Sequence, residues 1–534
     1  MMYKPEQREQ IWNTLQQPWD ILIIGGGITG AGIFNAAARS GLKVLLVEAN
    51  DYAYGTSSRS SKLVHGGFRY LKNRQFNVTR ESVRERERLL RQAKHLVTPL
   101  YFLLPSLGFS RATRQMFRMG VTIYDLLAPK WAHGDLSTAR INRICPQLTN
   151  SRLNGGFYYY DAEVDDARLV LRVIQEGMEA GGTALNYAGA ETLLFHKDGQ
   201  VAGALLRDNA PSRNGRTAEV LARVVINATG PWSDELRGMV NQPPRIRKQR
   251  GSHLIFPWAK LPLAQAITLL HPRDKRAMFV FPWEGVTVIG TTDLDHPREL
   301  EMKHPEPSIT TDEVAYILEA VNYLFPASQL GREDVLSSIS GLRPIVTTGE
   351  NNPSKESRAH VLWNERGLLT ITGGKLTTYR LMANETLESC RNILSGKPIL
   401  NKNLQLLNQS PVHKVKGVED KIWRRLIGRY GQAADDLAGS CPEQELVSVN
   451  GLPALWAELR WGARCEGVNH LDDLLLRRTR MGLTTPDGGF GLMDRIREIA
   501  QSELQWDDAT WNFEVNRYRN LWKECYSLPV ENDA

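Results

Sequence analysis

Residues 20–30 read Asp-Ile-Leu-Ile-Ile-Gly-Gly-Gly-Ile-Thr-Gly, and they indicate the class of fold. The apolar run after Asp20 is short and rich in isoleucine, which predicts a buried strand that ends at the glycines. A helix is predicted over 28–40, and 43–47 predicts a second buried strand that ends at Glu48. A strand, a glycine turn, a helix and a strand within about 30 residues indicate a β-α-β unit, and therefore a parallel sheet.

The glycines of this turn have the spacing of a dinucleotide-binding site. Gly25 permits the tight turn, Gly27 lets the backbone approach a pyrophosphate, and Gly30 lets the helix pack closely on the strand. The helix N-terminus offers free N–H groups and the positive end of its dipole to phosphates. Glu48 can accept hydrogen bonds from both ribose hydroxyls, and its carboxylate would repel a 2′-phosphate, which disfavours NADP. The unit predicts dinucleotide binding but leaves open whether the dinucleotide is FAD or NAD.

Three other segments favour FAD. Residues 224–230 (Val-Val-Ile-Asn-Ala-Thr-Gly) predict a strand and a small-residue turn of the kind that many flavoproteins place near the adenosine. Residues 372–378 (Thr-Gly-Gly-Lys-Leu-Thr-Thr) repeat the strand–glycine–helix pattern, so a second helix N-terminus could face the charge of a reduced flavin. Residues 55–62 (Gly-Thr-Ser-Ser-Arg-Ser-Ser-Lys) supply hydroxyls for the pyrophosphate and the ribityl chain. The candidate cofactor-binding residues are Gly25, Gly27, Gly30, Glu48, Thr56, Ser57, Ser58, Ala228, Gly230, Gly373 and Gly374.

Composition limits the class of protein. The 534 residues include 66 Lys and Arg against 59 Asp and Glu, a net charge of +7. This excess fits an anionic substrate, an anionic membrane surface or nucleic acid without choosing among them. The 5 cysteines lie far apart, so we expect no metal site and no disulfide scaffold. Glycines interrupt the uncharged run 21–38, so we expect no transmembrane helix, and a cytoplasmic or membrane-surface protein.

The rest of the chain predicts an α/β protein with interleaved segments. Asp165 or Asp166 is predicted to cap a helix over 167–180, and 275–283 and 286–292 to form a hairpin. Beyond residue 400 strand signals vanish. We expect a doubly wound, Rossmann-like FAD-binding domain, a substrate domain built on an antiparallel sheet, and a helical C-terminal domain. The expected segments are 19–90, 155–245 and 345–395 for the FAD-binding domain, 91–154 and 246–344 for the substrate-binding domain, and 400–534 for the helical domain.

The order of short motifs resembles the FAD-dependent (aerobic, respiratory) glycerol-3-phosphate dehydrogenase family. Between about residues 20 and 385 the motifs are IIGGGITGAG, VEAND, GTSSRSSKLVHGGFRYL, DDARLVL, NATGPW, GSHLIFP, GTTD, SGLRPIV and GGKLTTYR. The C-terminal part matches more loosely, with Leu476-Arg-Arg-Thr-Arg480 as its best anchor.

This resemblance implies a substrate and a reaction. The C2 alcohol of sn-glycerol 3-phosphate would be oxidised by FAD, dihydroxyacetone phosphate would leave, and the electrons would pass to a membrane quinone or, in related oxidases, to oxygen. A phosphate dianion is bound well by arginine forks. By resemblance the phosphate ligands are Arg343, which we also count as catalytic, and Arg358, with Arg69 in the same site.

Alcohol oxidation also needs a base for the O–H proton, with a pKa near the working pH. His65 is the first candidate, because imidazole titrates in that range. Lys375, which could polarise the alcohol oxygen or stabilise an alkoxide, is the second, and His253 is the third. Tyr70 and Thr377 could orient the triose. The order of the three bases stays open.

Several alternatives stay open as well. A quinone acceptor implies a peripheral membrane surface, and a helix over 111–127 is a candidate for it, although an ordinary amphipathic helix packed on a core fits equally well. An oxidase that uses oxygen shares these motifs. An amine or amino-acid oxidase of the same fold would hold its substrate carboxylate with an arginine. A non-catalytic dinucleotide-binding protein with a basic surface is a further alternative. We expect no nucleic-acid partner, and a homodimer remains open.

Overall fold

The computed structural model describes residues 3, 6–67, 76–127, 132–211, 215–303, 306–347, 359–394, 405, 407–408, 415 and 418–530. Within these ranges, no helix combines the length and the hydropathy that crossing a bilayer requires.

An eight-stranded sheet is built around the first glycine turn. Its central strand, Trp19–Ile24, is fully buried and pairs in parallel with Val44–Val47 on one side and Thr217–Asn227 on the other. Thr217–Asn227 pairs in parallel with Leu368–Gly373. The predicted parallel sheet is therefore confirmed. Its strands are Trp19–Ile24, Val44–Val47, Thr183–Leu185, Ala188–Phe195, Val201–Asp208, Thr217–Asn227, His360–Glu365 and Leu368–Gly373.

The helix after the glycine turn is Ile28–Arg39, close to the predicted range. It packs against the helices Asp166–Glu179 and Tyr379–Ser389. Small residues allow this close packing, because a Cβ at Gly32 would lie 2.6 Å from a ring carbon of Tyr379. The helix Asp166–Glu179 begins as predicted, with the Asp165 side chain accepting a hydrogen bond from the backbone N–H of Arg168.

A ten-stranded sheet forms the second unit. The predicted hairpin is present as Ala277–Trp283 and Val286–Gly290. The sheet is mixed rather than wholly antiparallel, because Ala266–Leu270 pairs in parallel with Val97–Leu107. These two strands come from distant parts of the chain, so no short turn forces them to run in opposite directions. The strands are Leu63–Val64, Val97–Leu107, Gly134–Leu136, Leu153–Val164, Ile246–Pro257, Ala266–Leu270, Ala277–Trp283, Val286–Gly290, Leu294–Asp295 and Ser337–Val346.

The described part of the chain beyond residue 418 is helical, as predicted. Its segments are Asp420–Tyr430, Ala433–Ser440, Trp456–Cys465, the π-helix Asp473–Arg478, Met481–Thr484, Met493–Ala500 and Asp508–Cys525. The other α-helices of the described residues precede residue 418, and they are Gln7–Asn13, Phe76–Gln92, Arg111–Leu127, Thr138–Ile144, Ser233–Met239, Arg298–Lys303 and Thr311–Leu324. The domain boundaries stay a prediction. Leu153–Val164, which belongs to the second sheet, runs across the boundary expected at residue 155.

Candidate cofactor and substrate site

A cavity of about 540 Å³ is lined by residues of both sheets. Its volume lies within the usual range of cofactor and ligand pockets. Most of the residues predicted from the sequence lie in its wall. These are Gly25, Gly27, Glu48, Thr56, Ser57, His65, Ala228, Gly230, His253, Arg343, Gly373, Gly374, Lys375 and Thr377.

The glycine turn has no room for side chains at its two decisive positions. Gly25 has a φ of +116°, and a Cβ there would lie 2.6 Å from the carbonyl oxygen of Ala228. Gly30 is not in the cavity wall, but a Cβ on it would lie 1.9 Å from the carbonyl oxygen of Gly25. Gly27 caps the helix that begins at Ile28, so the helix N-terminus opens into the cavity.

Glu48 ends the second strand as predicted, and its carboxylate is fixed by the backbone. Oε2 accepts a hydrogen bond from the N–H of Gly26 at 2.7 Å, and Oε1 accepts one from the N–H of Asn50 at 3.0 Å. Burial raises the pKa of Glu48 despite these two bonds. The carboxylate therefore stands beside the glycine turn, at the position from which it would contact a ribose.

Some side chains of the serine-rich loop 55–62 line the cavity, and others are buried in the protein interior. Ser57 Oγ accepts a hydrogen bond from the backbone N–H of Ile28 at 2.9 Å, so the loop is tied to the first helix. The Thr56 hydroxyl donates to the carbonyl of Leu342. Ser58 does not belong to the cavity wall. It is buried, and its carbonyl oxygen accepts a hydrogen bond from Lys62 Nζ at 2.5 Å.

These residues fit a dinucleotide. The glycine turn leaves space that a side chain would fill, a helix N-terminus faces that space, and an acidic side chain stands next to it. A second glycine turn, Gly373 and Gly374, lines the same cavity, with φ values of +77° and +68°. The residues that would hold FAD are therefore assembled around one cavity.

The cavity wall also carries an arginine and a lysine. Arg343 Nη1 lies 3.1 Å from Asp293 Oδ1, and its Nη2 donates to Thr291 Oγ1 at 3.0 Å. Lys375 Nζ donates to Ser82 Oγ at 2.9 Å, and the buried Thr377 lies nearby in the wall. Arginine forks and ammonium groups are the usual ligands of phosphate.

Two histidines, His65 and His253, line the same cavity, and both are held neutral. Burial lowers the pKa of His65 to about 4, although the Asp161 carboxylate opposes the shift. Burial lowers the pKa of His253 well below its ordinary value, and the charge of Arg343 lowers it further. His253 Nε2 lies 2.9 Å from Ser61 Oγ. Its Nδ1 is buried and has no hydrogen-bond partner among the described residues.

The glycine after His65 fixes the course of the backbone there. Its N–H donates to Tyr124 Oη at 2.8 Å and to Asp161 Oδ1 at 3.2 Å. A Cβ on Gly66 would lie 2.4 Å from the same tyrosine oxygen and 2.3 Å from a methyl group of Val83. The backbone after His65 therefore lies close to Tyr124 and Val83.

Three predicted substrate residues, Arg69, Tyr70 and Arg358, lie outside the described residues. Ser61, which contacts His253, and Asp293, which contacts Arg343, were not among the predicted site residues. Asp293 belongs to the Gly-Thr-Thr-Asp motif, which was the available signal for it. A serine inside a serine-rich loop gives no comparable signal.

Together, the fold and the site define an FAD-dependent oxidoreductase. The family described as FAD dependent oxidoreductase matches residues 20–380, and the C-terminal domain of alpha-glycerophosphate oxidase matches residues 372–511. Glycerol-3-phosphate dehydrogenase 2 of Mycobacterium bovis is 36% identical over 96% of this chain and 90% of its own length. The aerobic glycerol-3-phosphate dehydrogenase of Staphylococcus epidermidis is 34% identical over 89% of each chain. This chain belongs to the FAD-dependent glycerol-3-phosphate dehydrogenase family.

A solved structure supports the same assignment. The glycerol-3-phosphate dehydrogenase from Bacillus halodurans, complexed with FAD, superposes with a TM-score of 0.76 and 27% sequence identity. The match covers 98% of both chains, so it includes both sheets and the helical C-terminal part.

Proposed function

We propose that this chain oxidises sn-glycerol 3-phosphate at C2 to dihydroxyacetone phosphate and passes the electrons to a membrane quinone. The observation that carries the proposal is that one cavity joins the dinucleotide-binding turn to an arginine, a lysine and two neutral histidines. FAD, when bound, supplies the acceptor for the hydride that leaves the alcohol carbon. The names of the two bacterial relatives support the choice of substrate.

The chain's own residues would bind the substrate and take its proton. Arg343 offers the phosphate a fork that Asp293 and Thr291 already orient. At neutral pH the imidazoles of His65 and His253 are uncharged, so each keeps a nitrogen lone pair for the alcohol proton. Their lowered pKa values differ from the expectation of a base that titrates near the working pH, because burial makes each a weaker base than an ordinary imidazole. We propose His65 as the base, with Lys375 placed to stabilise the oxygen that loses the proton.

Replacing Arg343 by methionine is expected to lower kcat/KM for glycerol 3-phosphate by about 10²-fold or more, mainly through KM. Removing one partner of a desolvated charge pair costs about 2–5 kcal/mol, and each ~1.4 kcal/mol is tenfold. Steady-state kinetics with an artificial acceptor measures this change. R343K should recover only part of the loss, because lysine has the charge without the fork.

The matched control for this change is R247M. Arg247 lies on the same sheet, and its partly exposed side chain pairs with the exposed Asp295 outside the cavity wall. An exposed pair of this kind contributes about 0–1 kcal/mol, so the kinetic constants should stay unchanged. Equal losses in both variants would contradict a phosphate-binding role for Arg343.

Anaerobic titration with glycerol 3-phosphate tests the reaction itself. We expect a yellow holoenzyme whose flavin absorbance bleaches stoichiometrically, because the electrons of the alcohol reduce the flavin. Amino acids and amines should leave the spectrum unchanged. Bleaching by an amino acid instead would support an amine or amino-acid oxidase, and a protein that binds no FAD would support a non-catalytic role.

The reduced protein can then be mixed with a soluble quinone or with oxygenated buffer. We expect faster reoxidation by the quinone. Oxygen is the second candidate acceptor, because residues 372–511 match a domain described for an oxidase. Rapid reoxidation by oxygen would support that alternative.

A quinone acceptor places the protein at the cytoplasmic face of a membrane. The helix Arg111–Leu127 is the candidate contact, since Met116, Met119 and Leu126 are exposed on it. Exposed apolar side chains beside arginines suit an interfacial helix. The same helix also packs inward through the buried Val121 and Tyr124.

A further inference from the structure

The motif at residues 476–480 contributes three arginines that are almost completely buried: Arg477, Arg478 and Arg480. Arg477 Nε donates to Asp51 Oδ2 at 2.6 Å, and Arg478 donates to both oxygens of the same carboxylate at 2.7 and 2.8 Å. The C-terminal helical part is thereby bound to the segment that follows Glu48.

Arg480 reaches a second buried carboxylate, that of Asp166. Asp166 Oδ2 accepts hydrogen bonds from the backbone N–H of Ser60 at 3.0 Å, from its hydroxyl at 2.7 Å and from Lys62 Nζ at 2.8 Å. Its Oδ1 accepts from Lys62 Nζ at 2.9 Å and from Arg480 Nη2. Arg480 Nε also donates to Asp165 Oδ1 at 3.0 Å. Two cations and one serine therefore converge on one carboxylate.

The two residues that supply these cations, Lys62 and Arg480, have an unfavourable backbone conformation. Lys62 has a φ of +56° and Arg480 a φ of +66°, although neither residue is glycine. Residues with a Cβ adopt this left-handed region only where the surroundings stabilise it. The shared carboxylate provides that stabilisation, and it fixes the end of the loop 55–62 where Lys62 lies.

This loop forms one wall of the cavity. Ser57 is bonded to the first residue of the dinucleotide-binding helix, and Ser61 is bonded to His253. Arg480 Nη1 lies 3.3 Å from the carbonyl oxygen of Ser58, between these two serines. A displacement of the loop would therefore disturb both the start of the dinucleotide-binding helix and His253.

We propose that Arg480 is a positioning residue, through which the C-terminal helical part holds the loop 55–62 in the shape that retains FAD. Arg480 itself is not in the cavity wall. It acts through Asp166 and the Ser58 carbonyl. This role concerns cofactor retention, which can be measured without a substrate, so it stands apart from the proposed reaction.

FAD release from the diluted holoenzyme tests the proposal, because free flavin fluoresces more strongly than bound flavin. We expect R480M to release FAD about tenfold faster or more, since it removes charged hydrogen bonds that fix the loop. R480K, which keeps the charge and loses the fork, should lie between R480M and the parent protein.

The matched control is R460M. Arg460 lies in the same helical part and pairs with Glu445 and Glu503, away from the loop 55–62. R460M should lower the unfolding temperature and leave the rate of FAD release unchanged. Equal release rates from R480M and R460M would show a general loss of stability and would overturn the proposal.

A second variant covers the case in which R480M does not fold. D166N keeps the size of this buried side chain, which lies outside the cavity wall, and removes the charge that pairs with Lys62 and Arg480. We expect D166N to release FAD faster than the parent protein, in the same direction as R480K. Release at the parental rate from both D166N and R480K would also overturn the proposal.

Discussion

Replacing Gly30 by alanine is expected to give a protein that has lost nearly all of its FAD. The new Cβ would lie 1.9 Å from the carbonyl oxygen of Gly25, and a backbone atom cannot yield as a flexible side chain can. Overpacking costs about 1–3 kcal/mol, occasionally more, and ~3 kcal/mol corresponds to roughly 10²-fold in affinity. The ratio of flavin to protein absorbance in the purified variant measures the loss.

G238A is the matched control. Gly238 lies in the helix Ser233–Met239, and a Cβ there would have no atom within 4 Å. Alanine is a better helix former than glycine by about 1 kcal/mol. We therefore expect this variant to have the same ratio of flavin to protein absorbance as the parent protein and to be slightly more stable. If G30A kept its full flavin content, the assignment of this turn to the cofactor would be wrong.

Replacing His65 by glutamine is expected to lower kcat with glycerol 3-phosphate by about 10²–10⁴-fold while FAD stays bound. This is the usual contribution of a positioned general base. Rapid-reaction measurement of flavin reduction isolates the step. H196Q is the control, because His196 is exposed outside the cavity wall, and it should reduce flavin at the parental rate. A greater loss in H253Q than in H65Q would assign the base to His253.

The pH dependence gives an independent test of His65. The pKa of His65 in the folded protein is about 4. We therefore expect kcat/KM to decrease on the acid side only at pH values well below 6.5, the ordinary pKa of imidazole. The unfolded chain binds this proton already near pH 6.5. The free energy of unfolding should therefore decrease as the pH falls from about 6.5 to 4, and H65Q should lose this part of the decrease.

Local chemistry made the dinucleotide-binding turn predictable. Gly25, Gly30 and Glu48 lie within one β-α-β unit. The role predicted for each follows from its place in the strand, turn, helix and strand of that unit. The same holds for the cap at Asp165, which needs only the helix that follows it. The contact of Gly30 with Gly25, the bond from Gly26 to Glu48 and the cap at Asp165 are local in sequence, whereas the close contact of Gly25 with Ala228 is not.

Features that depend on distant parts of the chain were not predictable in the same way. Ser58 was a candidate cofactor residue, yet its hydroxyl is buried away from the cavity. A serine-rich loop has no periodicity, so sequence cannot tell which hydroxyls face inward. The meeting of Lys62, Asp166 and Arg480 joins segments that are remote in sequence, and no local pattern brings them together.

The strand order also has a consequence for biosynthesis. Trp19–Ile24 is made long before its second neighbour, Thr217–Asn227, and that strand in turn is made before Leu368–Gly373. Pairing over such separations closes long loops and is slow. A nascent chain that stalls before residue 368 therefore exposes an apolar strand edge, and it lacks the glycine turn at Gly373 and Gly374 that completes the cavity wall.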